Sequence, residues 1–237
     1  MTKMSIFRHS GNPYGVKVTD SMSMLEAIKA IGIIPFFENP VRGYSIEELT
    51  PPGFWLTDEQ LGPWDWKVDV VQSGEIVYGK FLCGGKASFA TPEWYAHLRN
   101  WRLSQEKYKP SREGKKVLGM IGKEGSCTAR QVRELLGVKK SKADSVLAGL
   151  MQGTRIVIGD IQRVYRGPNL EYKGWQTASY CTPESLFERP EEEFGPWKIV
   201  GTTLKCNCTP EESYSILYDH IKELFPESSD NDIKKVL

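Results

Sequence analysis

Apolar side chains recur at helical spacing in Met24, Leu25, Ala27, Ile28 and Ile31. Ser21 or Ser23 supplies the hydroxyl that caps such a helix, and Gly32 stands where it should end. The run at residues 33–37 is apolar without a period and predicts buried, irregular chain. Asn39-Pro40, Pro51-Pro52-Gly53 and Gly62-Pro63 then punctuate a stretch that holds Trp55, Trp64 and Trp66. From Glu75 the period falls to two. Ile76, Tyr78 and Lys80 alternate with Val77, Gly79 and Phe81, Gly84-Gly85 turns the chain, and residues 86–90 return. Thr91 and Pro92 open a helix expected to run to Ser104, and residues 105–111 read as a polar linker.

The most specific pattern follows. Val117, Leu118 and Ile121 mark a helix over residues 113–122, broken by Lys123-Glu124-Gly125. Residues 128–136 form a second helix closed by Gly137. Ser141 reads as the cap of a third helix over residues 142–151, with Asp144 as its acidic capping-box partner. Residues 155–158 alternate as a strand, Gly159-Asp160 reads as a hairpin turn, and residues 162–166 as the return. Three short helices and a two-stranded hairpin are the order of a winged helix. The tight glycine turn before the third helix is the helix-turn-helix signature.

Charge sharpens this picture. The 237 residues carry a formal net charge of only +1, but residues 111–166 hold 12 Lys+Arg against 5 Asp+Glu. Residues 182–237 hold 6 against 12. A basic segment inside a near-neutral chain predicts a polyanion as its partner. The third helix of such a module fits the major groove with its first residues at the base edges. Here those are Lys139, Lys140, Ser141 and Lys142, and the hairpin adds Arg155, Arg163 and Arg166. These seven are the candidate contacts to double-stranded DNA. Ala143, Ala148 and Gly149 give the helix little base-reading chemistry, so contact with the duplex backbone is expected over sequence readout. Winged helices also dock proteins, which makes a protein partner the competing reading.

Other chemistry is sparse. Cys83, Cys127, Cys181, Cys206 and Cys208 are odd in number and irregular in spacing, which argues against a disulfide framework. The C-x-C of Cys206 and Cys208, in a chain with three histidines, falls short of a structural zinc set, so no metal and no other cofactor is expected. Trp55, Trp64, Trp66, Trp94 and Trp101 fit a base-stacking platform or a core seam. The seam is preferred, because Asp58, Glu59, Asp65 and Asp69 among them would repel phosphate. His97 reads as a surface partner of Glu93, and Glu191, Glu192 and Glu193 as a solvated loop. No run approaches the ~18 apolar residues that cross a bilayer. Residues 1–14 lack the apolar stretch of a secretory signal, so a cytoplasmic protein without membrane contact is expected.

One family matches these motifs. Val77-Tyr78-Gly79-Lys80-Phe81 through Lys86-Ala87-Ser88-Phe89, then Pro92-Glu93-Trp94-Tyr95 and Leu98-Arg99, resemble the winged-helix DNA glycosylases called AlkZ-like. Residues 125–165 resemble that family's later winged helix, and the resemblance spans residues 22–166. It implies tandem winged helices and the excision of alkylated or crosslinked bases from DNA. It also implies a Gln-x-Gln or Gln-x-Asp catalytic element near residues 32–40. That stretch contains no glutamine, and Glu38 and Asn39 are its polar residues. The family's C-terminal barrel does not fit whole into residues 167–237.

In the C-terminal part, residues 175–181 and 197–208 look strand-like in places. Thr209, Pro210 and Glu211-Glu212 open a helix whose stripe is Tyr214, Leu217, Ile221 and Leu224, ending at Pro226. Residues 228–237 read as a loose tail. The expected fold is α+β. It comprises an arm (residues 1–20), a winged-helix-like unit (21–110), a winged helix-turn-helix (111–167) and a small α/β extension (168–237). The expected function is DNA binding without catalysis. A DNA glycosylase and a protein-interaction scaffold are the alternatives.

Overall fold

The computed structural model describes residues 15–55, 61–187 and 204–237. Most of the expected arm, Asp58, Glu59, the Glu191–Glu193 run and the strand-like start at Trp197 lie outside the described residues. The architecture is α+β, with helices packed on an antiparallel sheet.

The first helix, α1 (Ser21–Ile31), buries Met24, Ala27, Ile28 and Ile31. Its N-cap is Asp20 rather than a serine. The Asp20 carboxylate accepts from Ser23 N at 2.7 Å, and Ser23 Oγ accepts in return from Asp20 N, a reciprocal box. Gly32 ends the helix at φ +86, where a Cβ would fall 2.2 Å from the Trp94 ring. Strand β1 (Ile33–Pro35) follows, then the short α2 (Ile46–Leu49) and α3 (Pro63–Gln72). Strands β2 (Val77–Leu82) and β3 (Lys86–Ala90) form the expected hairpin, and α4 (Pro92–Ser104) starts on Pro92.

The middle segment contains α5 (Arg112–Glu124), β4 (Ser126–Thr128), α6 (Ala129–Leu136) and α7 (Lys140–Gln152). Strands β5 (Val157–Arg166) and β6 (Glu171–Cys181) complete the sheet, in the order β1-β3-β2-β5-β6-β4. Then come α8 (Pro183–Phe187), α9 (Pro210–Leu224) and α10 (Asp230–Val236). Tyr78 of β2 pairs with Ile158 of β5, and Cys127 of β4 with Tyr180 of β6. One buried apolar cluster runs from Val18 to Leu237. Residues 21–110 and 111–181 therefore share one sheet, and the C-terminal helices join the same core.

Three further local expectations are corrected. The hairpin does not turn at Gly159-Asp160. Strand β5 runs through that dipeptide, and the reversal comes after Arg166, with Gly167 and Leu170 at positive φ. The register shifts between Ile158 and Asp160, so Gly159 is the extra residue of a β-bulge. A Cβ there would lie 2.6 Å from Cys181 Sγ, so close approach to the neighbouring strand, not a turn, requires the glycine. The second correction concerns Ser141, which does not cap the third helix. Lys139 is the N-cap and makes no side-chain cap bond, while Asp144 pairs with Lys140 at 2.6 Å. Finally, residues 228–237 are not a loose tail. Ser229 caps α10, and Ile233, Val236 and Leu237 are buried at helical spacing. The tail is latched by Cys83 N donating to Val236 O at 2.8 Å and by Arg102 Nη2 donating to Leu237 O at 2.5 Å.

Candidate nucleic-acid interface

Helices α6 and α7 meet through Gly137, whose left-handed conformation (φ +64) ends α6 and lets the chain reverse within three residues. Thr128 and Gln131 box the start of α6, and Val132 fixes it to the core. Helix α7 buries Ala143, Val146, Leu147, Leu150 and Met151 on one face. Its first turn therefore points outward, with Lys139, Lys140, Ser141 and Lys142 all exposed. No side chain caps that turn, so its positive dipole end lies among three lysines. Lys140 is partly neutralised by Asp144 at 2.6 Å.

The hairpin divides the three expected arginines. Arg166 is exposed near its tip and lies over the Trp175 ring, 5.0 Å from the centroid. With Lys173 the pair borders a concavity of about 380 Å³ at the tip. Trp175 is 59% exposed, a large aromatic surface beside Arg166. Arg163 is committed inward. Its Nη2 donates to Asp69 Oδ2 at 3.0 Å and to Asp65 O at 3.1 Å, and the side chain is 19% exposed. The Asp69 hydrogen bond holds its guanidinium above even the usual arginine range. Arg155 is also turned inward. Burial disfavours its charge, Arg99 repels it, and Glu184, the ion-pair partner of Arg99, offsets part of the cost.

A polar seam anchors the hairpin to α3. Lys67, only 3% exposed, donates to Trp64 O at 2.7 Å and to Gln176 Oε1 at 2.5 Å. Its ammonium sits 3.4 Å from the centroid of the Trp64 ring. Burial lowers its pKa to about 7, against a weaker raising effect of Asp65. Tyr172 donates to Asp65, and Gln72 Nε2 donates to Ile161 O at 2.8 Å. Sequence reasoning singled out none of Lys67, Tyr172, Trp175 or Gln176. The alternation of β6 was the available signal, since it places Tyr172 and Gln176 on one face.

Of the two polar side chains at residues 32–40, Asn39 serves the loop and Glu38 does not. Asn39 Nδ2 donates to Tyr44 O at 2.7 Å, and its Oδ1 accepts from Val41 N at 3.0 Å. Glu38 N donates to Glu47 Oε2 at 2.8 Å, with the Glu38 side chain facing solvent. The tryptophans fall into separate clusters, with Trp55 and Trp64 both edge-on to Phe36. Trp64 stacks on Phe37, Trp94 stacks on His220 at 3.7 Å, and Trp101 lies 4.7 Å from Tyr214. His97 does not pair with Glu93; its Nδ1 lies 3.4 Å from Ser213 Oγ. Among the described residues no group of three or more His, Cys, Asp or Glu side chains gathers to hold a metal. No described helix is long and apolar enough to cross a membrane.

A family model described as AlkZ related matches residues 18–237. The chain belongs to the AlkZ-related family. The match agrees with the resemblance carried by residues 22–166 and extends it through the C-terminal helices, so the AlkZ-related pattern includes α9 and α10. No curated protein and no solved structure shows significant similarity to this AlkZ-related chain.

Proposed function

We propose that this AlkZ-related protein binds double-stranded DNA through a winged helix-turn-helix formed by α5, α6, α7 and the β5–β6 hairpin, contacting mainly the phosphate backbone. The observation that carries the reading is the outward first turn of α7. There Lys139, Lys140 and Lys142 surround a helix start that no side chain caps. Aligned backbone dipoles and cations at one helix end favour an anion there. Arg166, Lys173 and the exposed Trp175 supply a second contact at the hairpin tip. Arg163 is spent on the seam with α3, and Arg155 lies beside Arg99 and Glu184, so in this reading neither is counted among the phosphate contacts.

Fluorescence anisotropy with a labelled duplex of about 20 base pairs, at several salt concentrations, tests this. About four phosphate contacts give a slope of log affinity against log salt near −3 to −4. Replacing Lys139, Lys140 and Lys142 together by Ala should flatten that slope by about 2 to 3 and leave the melting temperature unchanged. Equal affinity in the triple variant removes α7 as the contact surface.

Family membership favours a second reading, excision of alkylated or crosslinked bases. Neither Glu38 nor Asn39 reproduces a paired-glutamine element, so the first reading is binding without catalysis. Incubation with duplexes carrying such lesions separates the two. Released base, detected chromatographically, establishes the glycosylase reading. Tight binding with no release establishes the other.

A further inference from the structure

Between α4 and α5 the chain makes a single 3₁₀ turn, Glu106–Tyr108, which packs against both α4 and α7 and has a groove on each side of it. The first groove, about 560 Å³, is walled by Trp101, Tyr108 and Tyr214 and rimmed by Lys107, Lys234 and Lys235. All three aromatic rings are half-buried and all three lysines are exposed. Trp101 lies 4.7 Å from Tyr214 and 6.5 Å from Tyr108, so the rings form one angled wall. The Lys107 ammonium hovers 4.8 Å from the Tyr108 centroid and 5.9 Å from that of Trp101. The second groove, about 520 Å³, carries Lys107, Lys109 and Lys142 above a floor that includes Gly114, Ser145 and Gly149. No Asp or Glu lines either groove, and the carboxylates paired with Lys109 (Glu106) and Lys235 (Asp232) stand outside them. Lys107, Tyr108 and Gln152 belong to both, so the two form one path that ends at Lys142, in the first turn of α7.

We infer that this path is a binding site for single-stranded nucleic acid, with unstacked bases against Trp101, Tyr108 and Tyr214 and phosphates on Lys107, Lys109 and Lys142. An aromatic wall beside a row of cations matches a ligand that alternates planar rings with negative charges. Paired duplex cannot use the wall, because its bases already stack on each other. Lys107 is exposed and flexible, so it can leave the ring faces for a phosphate when a base arrives. The site goes beyond duplex binding. Only Lys142 is common to both surfaces, so the two can be lost separately.

The test uses the full chain and a labelled octamer of thymidylate in low salt, with an octamer of abasic deoxyribose phosphate as control. The wild type should bind the thymidylate octamer at least tenfold more tightly than the abasic one. The double variant Lys107→Ala, Lys109→Ala removes only exposed side chains and should lose at least tenfold in octamer affinity with duplex affinity retained. Lys139→Ala with Lys140→Ala should do the reverse. Trp101→Phe keeps the packing on Tyr214 and should diminish the fluorescence quenching that the octamer causes. A uridylate octamer run in parallel tells RNA from DNA by its relative affinity. No octamer binding by the wild type, equal binding of the abasic octamer, or unchanged affinity in the lysine variant each overturns the proposal.

Discussion

Gly32 illustrates how one missing methyl group decides local packing. Its φ of +86 is a conformation that side chains resist, and the Trp94 ring fills the place of its Cβ at 2.2 Å. Gly32→Ala should therefore destabilise the fold by about 2–4 kcal/mol, from the backbone penalty and from overpacking. Urea denaturation checks this. Adding Trp94→Ala should cost less than the sum of the two single changes, because the clash has gone; strict additivity would show that Trp94 does not oppose the methyl group. Gly32 was legible as a helix end, since a glycine after a helical stripe signals one. The Trp94 contact was not, because 62 positions separate the two residues and no local pattern records the approach. The first turn of α7 shows the same limit. Its lysines were legible as a cationic cluster, but the pairing of Asp144 with Lys140 instead of a cap was decided by a start one turn-fraction earlier.

Among elements, periodicity worked where a helix or strand buries one face. It located α1, α4, α6, α7, α9 and the β2–β3 hairpin. It failed at β5, where Gly159-Asp160 imitates a turn but is a bulge, and at α10, whose seven residues carry too few apolar positions to reveal a period. The seam between α3 and the hairpin was invisible because Lys67 and Gln176 lie 109 positions apart. That seam has a pH signature. Burial lowers Lys67 from an ordinary 10.5 to about 7, so between those values the unfolded chain holds a proton that the folded chain lacks. Stability contributed by this group therefore rises with pH from about 7 towards 10.5 and is at its lowest below 7. Relative to wild type, Lys67→Met should melt with a shallower rise between pH 6.5 and 9.5. Parallel melting profiles for the two proteins would refute the shifted amine.

At the scale of the whole molecule, Arg102 joins three distant parts. It donates to Gln152 O at the end of α7 and to Leu237 O beyond α10, and its guanidinium lies 4.9 Å from the Tyr108 ring centroid. Burial works against its charge, so the two carbonyl bonds are what hold it in place. Arg102→Ala takes the Arg102 donor from one buried and one part-buried acceptor, at about 1–3 kcal/mol each. A loss of about 3–5 kcal/mol and faster proteolysis within residues 225–237 are expected. Arg102→Lys should recover part of that loss, since one ammonium can reach one carbonyl. The overall class was legible in the sequence, but the continuity of one sheet through both halves was not. It rests on the single pair Tyr78 and Ile158, with 80 positions between them.

That pairing sets an order of events during synthesis. Strand β2 emerges early but must wait for β5 to cover its free edge, and β4 waits from residue 126 until Cys181 is made. Contacts between such distant segments form slowly and leave an unpaired edge exposed meanwhile. A nascent chain that stops before β6 has all the lysines of α7 but leaves β4 without a partner strand and β5 with β2 alone. A fragment released at that stage carries open strand edges, so it is prone to stick to other chains.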